Sequence, residues 1–120
     1  MLFKFIVLFC LLFSEDKDLY LVYNPQTELY KIGMSNNPER RLKEIQYDLD
    51  AELQLIVIFP EMGYMENRLH KIFASQREIQ EINGVRSREW FCLNPDDVYF
   101  ITHLVMEQRN ISLERRCGVH

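Results

Sequence analysis

Two short apolar runs joined by four turn-forming residues constrain this chain most. Leu19 to Tyr23 reads as a strand and Glu28 to Gly33 as its return. Between them Asn24-Pro25-Gln26-Thr27 is turn chemistry, because proline presets φ and asparagine accepts local hydrogen bonds. The pair is a β-hairpin, and it commits the domain to a sheet. Helix signals follow at once. In Ser35-Asn36-Asn37-Pro38-Glu39, Asn37 suits a cap, Pro38 the first helical position and Glu39 the positive end of the dipole. Leu42, Ile45 and Leu49 then share one helical face.

The same reading continues down the chain. Ala51 to Phe59 predicts a third strand, apolar on both faces at Ile56 and Ile58, as in a central strand covered on two sides. Tyr64 to about Ile82 predicts a helix with Met65, Leu69, Ile72 and Phe73 in its core stripe, and Asn83-Gly84 a C-cap or turn. Arg88 to Leu93 reads as a short strand. Asn94-Pro95-Asp96-Asp97 repeats the cap signal and opens a last helix to about Gln108, before a polar, frayed tail. The fold class is therefore α/β: a small three-stranded, mainly antiparallel sheet flanked by helices, in the order β-β-α-β-α-(β)-α.

At 120 residues the chain supports one domain with one core. With 48% hydrophobic and 27% charged residues, wholesale disorder is excluded. A formal charge of -4 argues against a histone-like binder of polyanions. Local distribution matters more: nine of the 14 basic residues lie between Lys31 and Arg88, interspersed with acids. Cys10, Cys92 and Cys117 form no metal spacing and no even disulfide framework. Phe3 to Phe13 is strongly apolar but short for a bilayer span, which needs ~20 residues. Three readings compete for it: a signal or anchor segment, an added element packed on the domain, or sequence outside the functional fold. Residues 1–17 are thus an apolar segment of open role, 18–108 the working domain and 109–120 a polar tail. An intracellular site, cytoplasmic or nuclear, is favoured over membrane association through residues 3–13.

Four polar side chains fall at the ends of these short elements. Tyr20 offers a phenol, Lys31 an ammonium, Arg41 a guanidinium and Glu66 a carboxylate. Together they suit phosphodiester cleavage: a group to activate water, a group to hold a metal and a group to neutralise phosphate. Each also has a plainer reading. Tyr20 suits a packed strand, Lys31 a snorkelling edge lysine and Glu66 a helix N-terminus. A phenol with a reference pKa of ~10 needs nearby cations or metal to ionise near neutrality, and Lys31 would supply that charge if the hairpin sets it beside Tyr20 on the same face. One carboxylate with several waters matches Mg²⁺, which keeps much of its hydration shell. His70 lies one turn beyond Glu66 on the same face and suits either contact with phosphate or metal, or a hydrogen bond to a loop that fixes packing.

In order, Tyr20-Leu21-Val22, Lys31-Ile32-Gly33, Arg41, Glu66-Asn67-Arg68-Leu69-His70-Lys71-Ile72-Phe73 and Glu89-Trp90-Phe91 resemble the GIY-YIG nuclease superfamily. Within it they are most similar to the branch of phage Orf-type DNA-binding domains and meiotically up-regulated proteins. The resemblance spans about residues 18 to 105. It implies a DNA endonuclease, of phage or mobile-element type, using Mg²⁺ or Mn²⁺ on Glu66. Tyr20 and Lys31 would act on water, and Arg41, preferred over Arg40 by the family spacing, on phosphate, with His70 nearby. The chain departs from the pattern in having Asp18-Leu19-Tyr20 for the first motif and Lys31 for the second tyrosine. The late asparagine of the superfamily has two candidates, Asn83 and Asn94. Glu89 and Trp90 read as structural. A non-catalytic DNA-binding module is the alternative, and a protein-interaction or membrane-associated module with a decayed site the third reading.

Overall fold

The computed structural model describes residues 17–116. The apolar run of residues 3–13, Cys10 and Cys117 lie outside them. Five strands form one antiparallel sheet in the order β3-β1-β2-β5-β4. Strand β1 is Asp18–Asn24, β2 Leu29–Ser35, β3 Gln54–Phe59, β4 Arg77–Ile82 and β5 Val85–Phe91. Helices α1 (Pro38–Leu49), α2 (Glu66–Ile72) and α3 (Pro95–Arg116) cover the two faces.

The first hairpin forms as its turn residues dictate. Asn24 Oδ1 accepts from the Gln26 amide at 2.9 Å and the Asn24 carbonyl from the Glu28 amide at 2.7 Å. Strand β1 is buried on both faces. Leu19 and Leu21 pack with Met65, Leu69, Phe73, Ile101 and Val105 from the side of α2 and α3, and Tyr20 and Val22 with Ile45 and Trp90 beneath α1. A strand sandwiched in this way reads as an unbroken apolar run. Helix α1 starts as its cap predicts, with Asn37 Oδ1 accepting from the Arg40 amide at 3.1 Å and Pro38 in the first turn.

Four expectations are corrected. The sheet has five strands rather than three. The long helix over Tyr64–Ile82 ends at Phe73: a 3₁₀ turn at Gly63–Met65 leads into α2, another at Ala74–Gln76 follows it, and the chain then extends as β4. Asn83 and Gly84, with φ 51 and 78, form the two-residue hairpin turn that positive φ at both positions requires. Pairing with β5 overrides the helix propensity of Arg77-Glu78-Ile79-Gln80-Glu81. Strand β3 is shorter than Ala51–Phe59 and lies at the edge, not the centre. Both its faces are nonetheless apolar, because Val57 packs toward the α2 and α3 core and Leu55 and Ile58 toward the α1 core. The last helix also runs on through Arg116 instead of fraying after Gln108. Arg109 Nη1 reaches the Pro60 carbonyl at 3.5 Å and Ser112 Oγ the Tyr64 hydroxyl at 3.4 Å, tying this extension to the turn before α2.

Candidate functional site

Strands β1 and β2 bring the first polar group to its place. Tyr20 stands directly opposite Gly33 in the ladder. Its ring lies over the glycine so closely that a Cβ there would fall 2.5 Å from the phenol oxygen. The glycine that closes Lys31-Ile32-Gly33 is therefore the seat of the tyrosine. The phenol is only 1% exposed, and its pKa is pushed up to about 12. Burial is the main cause and the Glu89 carboxylate the next. Arg41, close to the phenol, pulls the other way, and Glu66 adds a smaller upward push.

Lys31 is buried on the same side of the sheet, with its ammonium 6.0 Å from the Tyr20 ring centroid. It donates to Glu89 Oε2 in an ion pair. Burial lowers the Lys31 pKa, and Glu89 opposes that shift without cancelling it. Lys31 stands on the same face as Tyr20, as its use toward the phenol requires, and is paired there with Glu89. Its charge is matched by Glu89, which itself holds the phenol protonated, and Arg41 is the cation that favours the phenolate.

Glu89 is the residue that sequence reasoning missed, having read it as structural. Trp90 faces Glu78 across the β4–β5 ladder and Ser87 faces Gln80, so Arg88 and Glu89 share the single partner position of Ile79. This is a β-bulge, a device that re-aims side chains. It lies just beyond the point where β5 leaves β2, since those strands pair only at Tyr30–Phe91 and Lys31–Trp90. The signal available was the acid beside Trp90 with a buried lysine to answer; only the register joins the two.

Past that divergence, α2 takes over the free stretch of β2. His70 donates its Nε2–H to the Ile32 carbonyl at 2.8 Å, with its ring 5.0 Å from that of Phe91. One turn earlier the Glu66 carboxylate lies close enough to the Met34 amide for that amide to favour its ionised form. Burial raises the Glu66 pKa, with Glu89 adding to it and His70, Lys31 and the Met34 amide opposing. His70 spends its ring N–H as a brace, which fits the packing reading of that residue.

Arg41 projects from α1 and donates to Glu44 Oε1 at 3.2 Å, and its guanidinium lies close enough to the phenol to favour the phenolate. With Glu89 it lines an open cleft of about 440 Å³ between α1 and the β4–β5 hairpin. The fold therefore brings Tyr20, Lys31, Arg41 and Glu66 within electrostatic reach of one another, around Glu89. Neither late asparagine joins them. Asn94 caps α3 reciprocally with Asp97, at 2.8 and 3.0 Å, and Asn83 forms the hairpin turn at the lip of the cleft. Among the described residues no group of three or more His, Cys, Asp or Glu side chains could enclose a metal ion. Glu66, with Glu89 engaged by Lys31, is a one-carboxylate donor set. Such a set suits a hydrated Mg²⁺ and does not suit a dehydrating cage.

A five-stranded antiparallel sheet covered by three helices, with a phenol, two cations and two carboxylates gathered where its strands part, defines a small α/β domain with a polar centre. The family model of the T5orf172 domain matches residues 19–106, and the chain belongs to that family. This is a phage Orf-type domain related to nucleases, and membership puts the chain among nucleic-acid-binding or nuclease-like domains. No curated protein and no solved structure matches the chain significantly. Among the described residues no helix is long and apolar enough to cross a membrane.

Proposed function

We propose that this domain is a divalent-metal-dependent DNA endonuclease of the GIY-YIG type. The observation that carries the reading is the convergence of Tyr20, Arg41 and Glu66 from three separate elements: Arg41 and Glu66 both act on the Tyr20 phenol, and Arg41 lines the open cleft. Arg41, at the wall of the cleft, takes the phosphate, because a planar guanidinium binds two of its oxygens at once. Tyr20 keeps its proton at neutral pH, so it orients the attacking water through its hydroxyl with Arg41 close by. Lys31 and Glu89 hold the phenol's surroundings rigid. Glu66 would hold Mg²⁺ or Mn²⁺, with water completing its shell. A cation bound there supplies Lewis-acid stabilisation of charge on the departing oxygen.

A second reading, a DNA-binding module without catalysis, is favoured by the burial of Tyr20 and Lys31, at 1% and 3% exposure. Plasmid nicking separates the two. Purified protein in Mg²⁺ or Mn²⁺ is expected to nick, and Glu66→Gln and Arg41→Ala to lose roughly 100-fold or more in rate. Nicking that persists in both variants rules out this site. No nicking by the wild type, together with salt-sensitive binding, selects the second reading.

A further inference from the structure

Beyond Phe91 and Trp90 the β4–β5 hairpin has no strand partner in β2 and projects as a two-stranded arm. It forms one wall of the cleft, and α1 forms the other through Arg41 and Asp48. Arg86 and Arg88 line the cleft from the arm, and both are solvent-exposed. Neither makes an ion pair among the described residues, although Glu81 faces Arg86 across the ladder. Glu89, the acid on the same wall, is neutralised by Lys31. The lining sets three guanidiniums, Arg41, Arg86 and Arg88, against the carboxylates of Asp48 and Glu89, a net positive charge in a chain whose formal total is -4, with Arg41 also paired to Glu44. Two residues along a strand advance ~7 Å, so Arg86 and Arg88 form a graded row leading away from the polar centre rather than a single point charge.

We infer that the β4–β5 hairpin is a DNA-holding arm: the sugar-phosphate backbone of duplex DNA runs through the cleft, with Arg86 and Arg88 on phosphates next to the one at Arg41. The inference rests on the nucleic-acid reading of the site but not on catalysis. It assigns the hairpin to substrate grip and leaves the chemistry to the cluster around Tyr20. The bulge at Arg88 and Glu89 lets Glu89 reach Lys31, while Arg88 lines the cleft and, with Arg86 and Ile79, a second hollow beside the arm.

The test is equilibrium binding of a short fluorescent duplex by the full chain in EDTA, titrated over a range of NaCl. Each phosphate contact contributes ~0.9 to the slope of log affinity against log salt. Arg86→Ala/Arg88→Ala is therefore expected to reduce that slope by about 2 and to weaken binding roughly 10- to 100-fold at ~0.1 M salt. Lys71→Ala, an exposed charge on α2 that does not line the cleft, is the control and leaves the slope of the wild type nearly unchanged. Thermal melts confirm that each variant is folded, as is expected for exposed positions. A double variant with the slope and affinity of the wild type overturns the inference, as does a wild type that shows no salt-dependent binding. Because divalent metal is absent, a reduced slope upholds the arm even where plasmid nicking fails, and nicking without a reduced slope rejects the arm alone.

Discussion

Tyr20 shows how much a single side chain depends on its neighbours. A strand tyrosine in an apolar run is ordinary, and the phenol becomes distinctive only because Gly33 opposite leaves room for the ring and Arg41 lies close to it. Its pKa, raised from 10.0 to about 12, has a consequence for stability. Between those values the folded state keeps a proton that the unfolded state has lost. Stability is therefore fully present below about pH 10 and falls as pH rises toward 12, by roughly 2–3 kcal/mol in total. Urea unfolding across that range should show the decline, and Tyr20→Phe should flatten it. Phenolate absorbance of the folded protein should likewise show one tyrosine, absent from Tyr20→Phe, that titrates last.

At the scale of elements, the joints between strands matter more than the strands. Strand β2 is completed by β5 at Tyr30 and Lys31 and by the His70 side chain of α2 at Ile32, with the Glu66 carboxylate close to Met34. The Lys31–Glu89 pair locks the first of these joints. Glu89→Ala leaves a buried ammonium without its carboxylate and should destabilise the fold by about 2–3 kcal/mol, less than a fully buried pair because the Glu89 side chain is 40% exposed. Lys31→Met in the same background should recover most of that loss, as measured by a double-mutant cycle in urea. The elements also differ in how far they were legible. The first hairpin and both Asn-Pro helix starts announce themselves through local turn and cap chemistry. The arm did not, because Arg77 to Glu81 carries helix-compatible charged residues and its strand state comes from pairing with β5. Asn83-Gly84 suits a hairpin turn and a helix end alike, so it does not by itself distinguish the two.

For the whole molecule, one sheet serves two cores. Leu19, Leu21 and Ile32 belong to one and Tyr20, Val22 and Trp90 to the other, so neither face can open without the strands they share. Trp90 is the single tryptophan and is 2% exposed on the α1 side. Its fluorescence and the far-UV circular dichroism should therefore report coincident urea transitions; separate midpoints would show that the two layers unfold independently. The same two-sided burial explains why β3 suggested a central strand. Apolar side chains on both faces report that both faces are covered, and they do not report how many neighbours a strand has.

Local chemistry in the amino-acid order was enough to establish the α/β class, the first hairpin, the starts of α1 and α3, and the residue types from which the polar centre is built. Those features arise from interactions across a few positions, and they survive without knowledge of the rest of the chain. Tertiary structure alone decided that Glu89 answers Lys31, that His70 braces Ile32, that β3 is an edge and that residues 77–91 form an arm over the cleft. Each of these depends on register between segments far apart along the chain, and strand register is set by packing over the whole sheet.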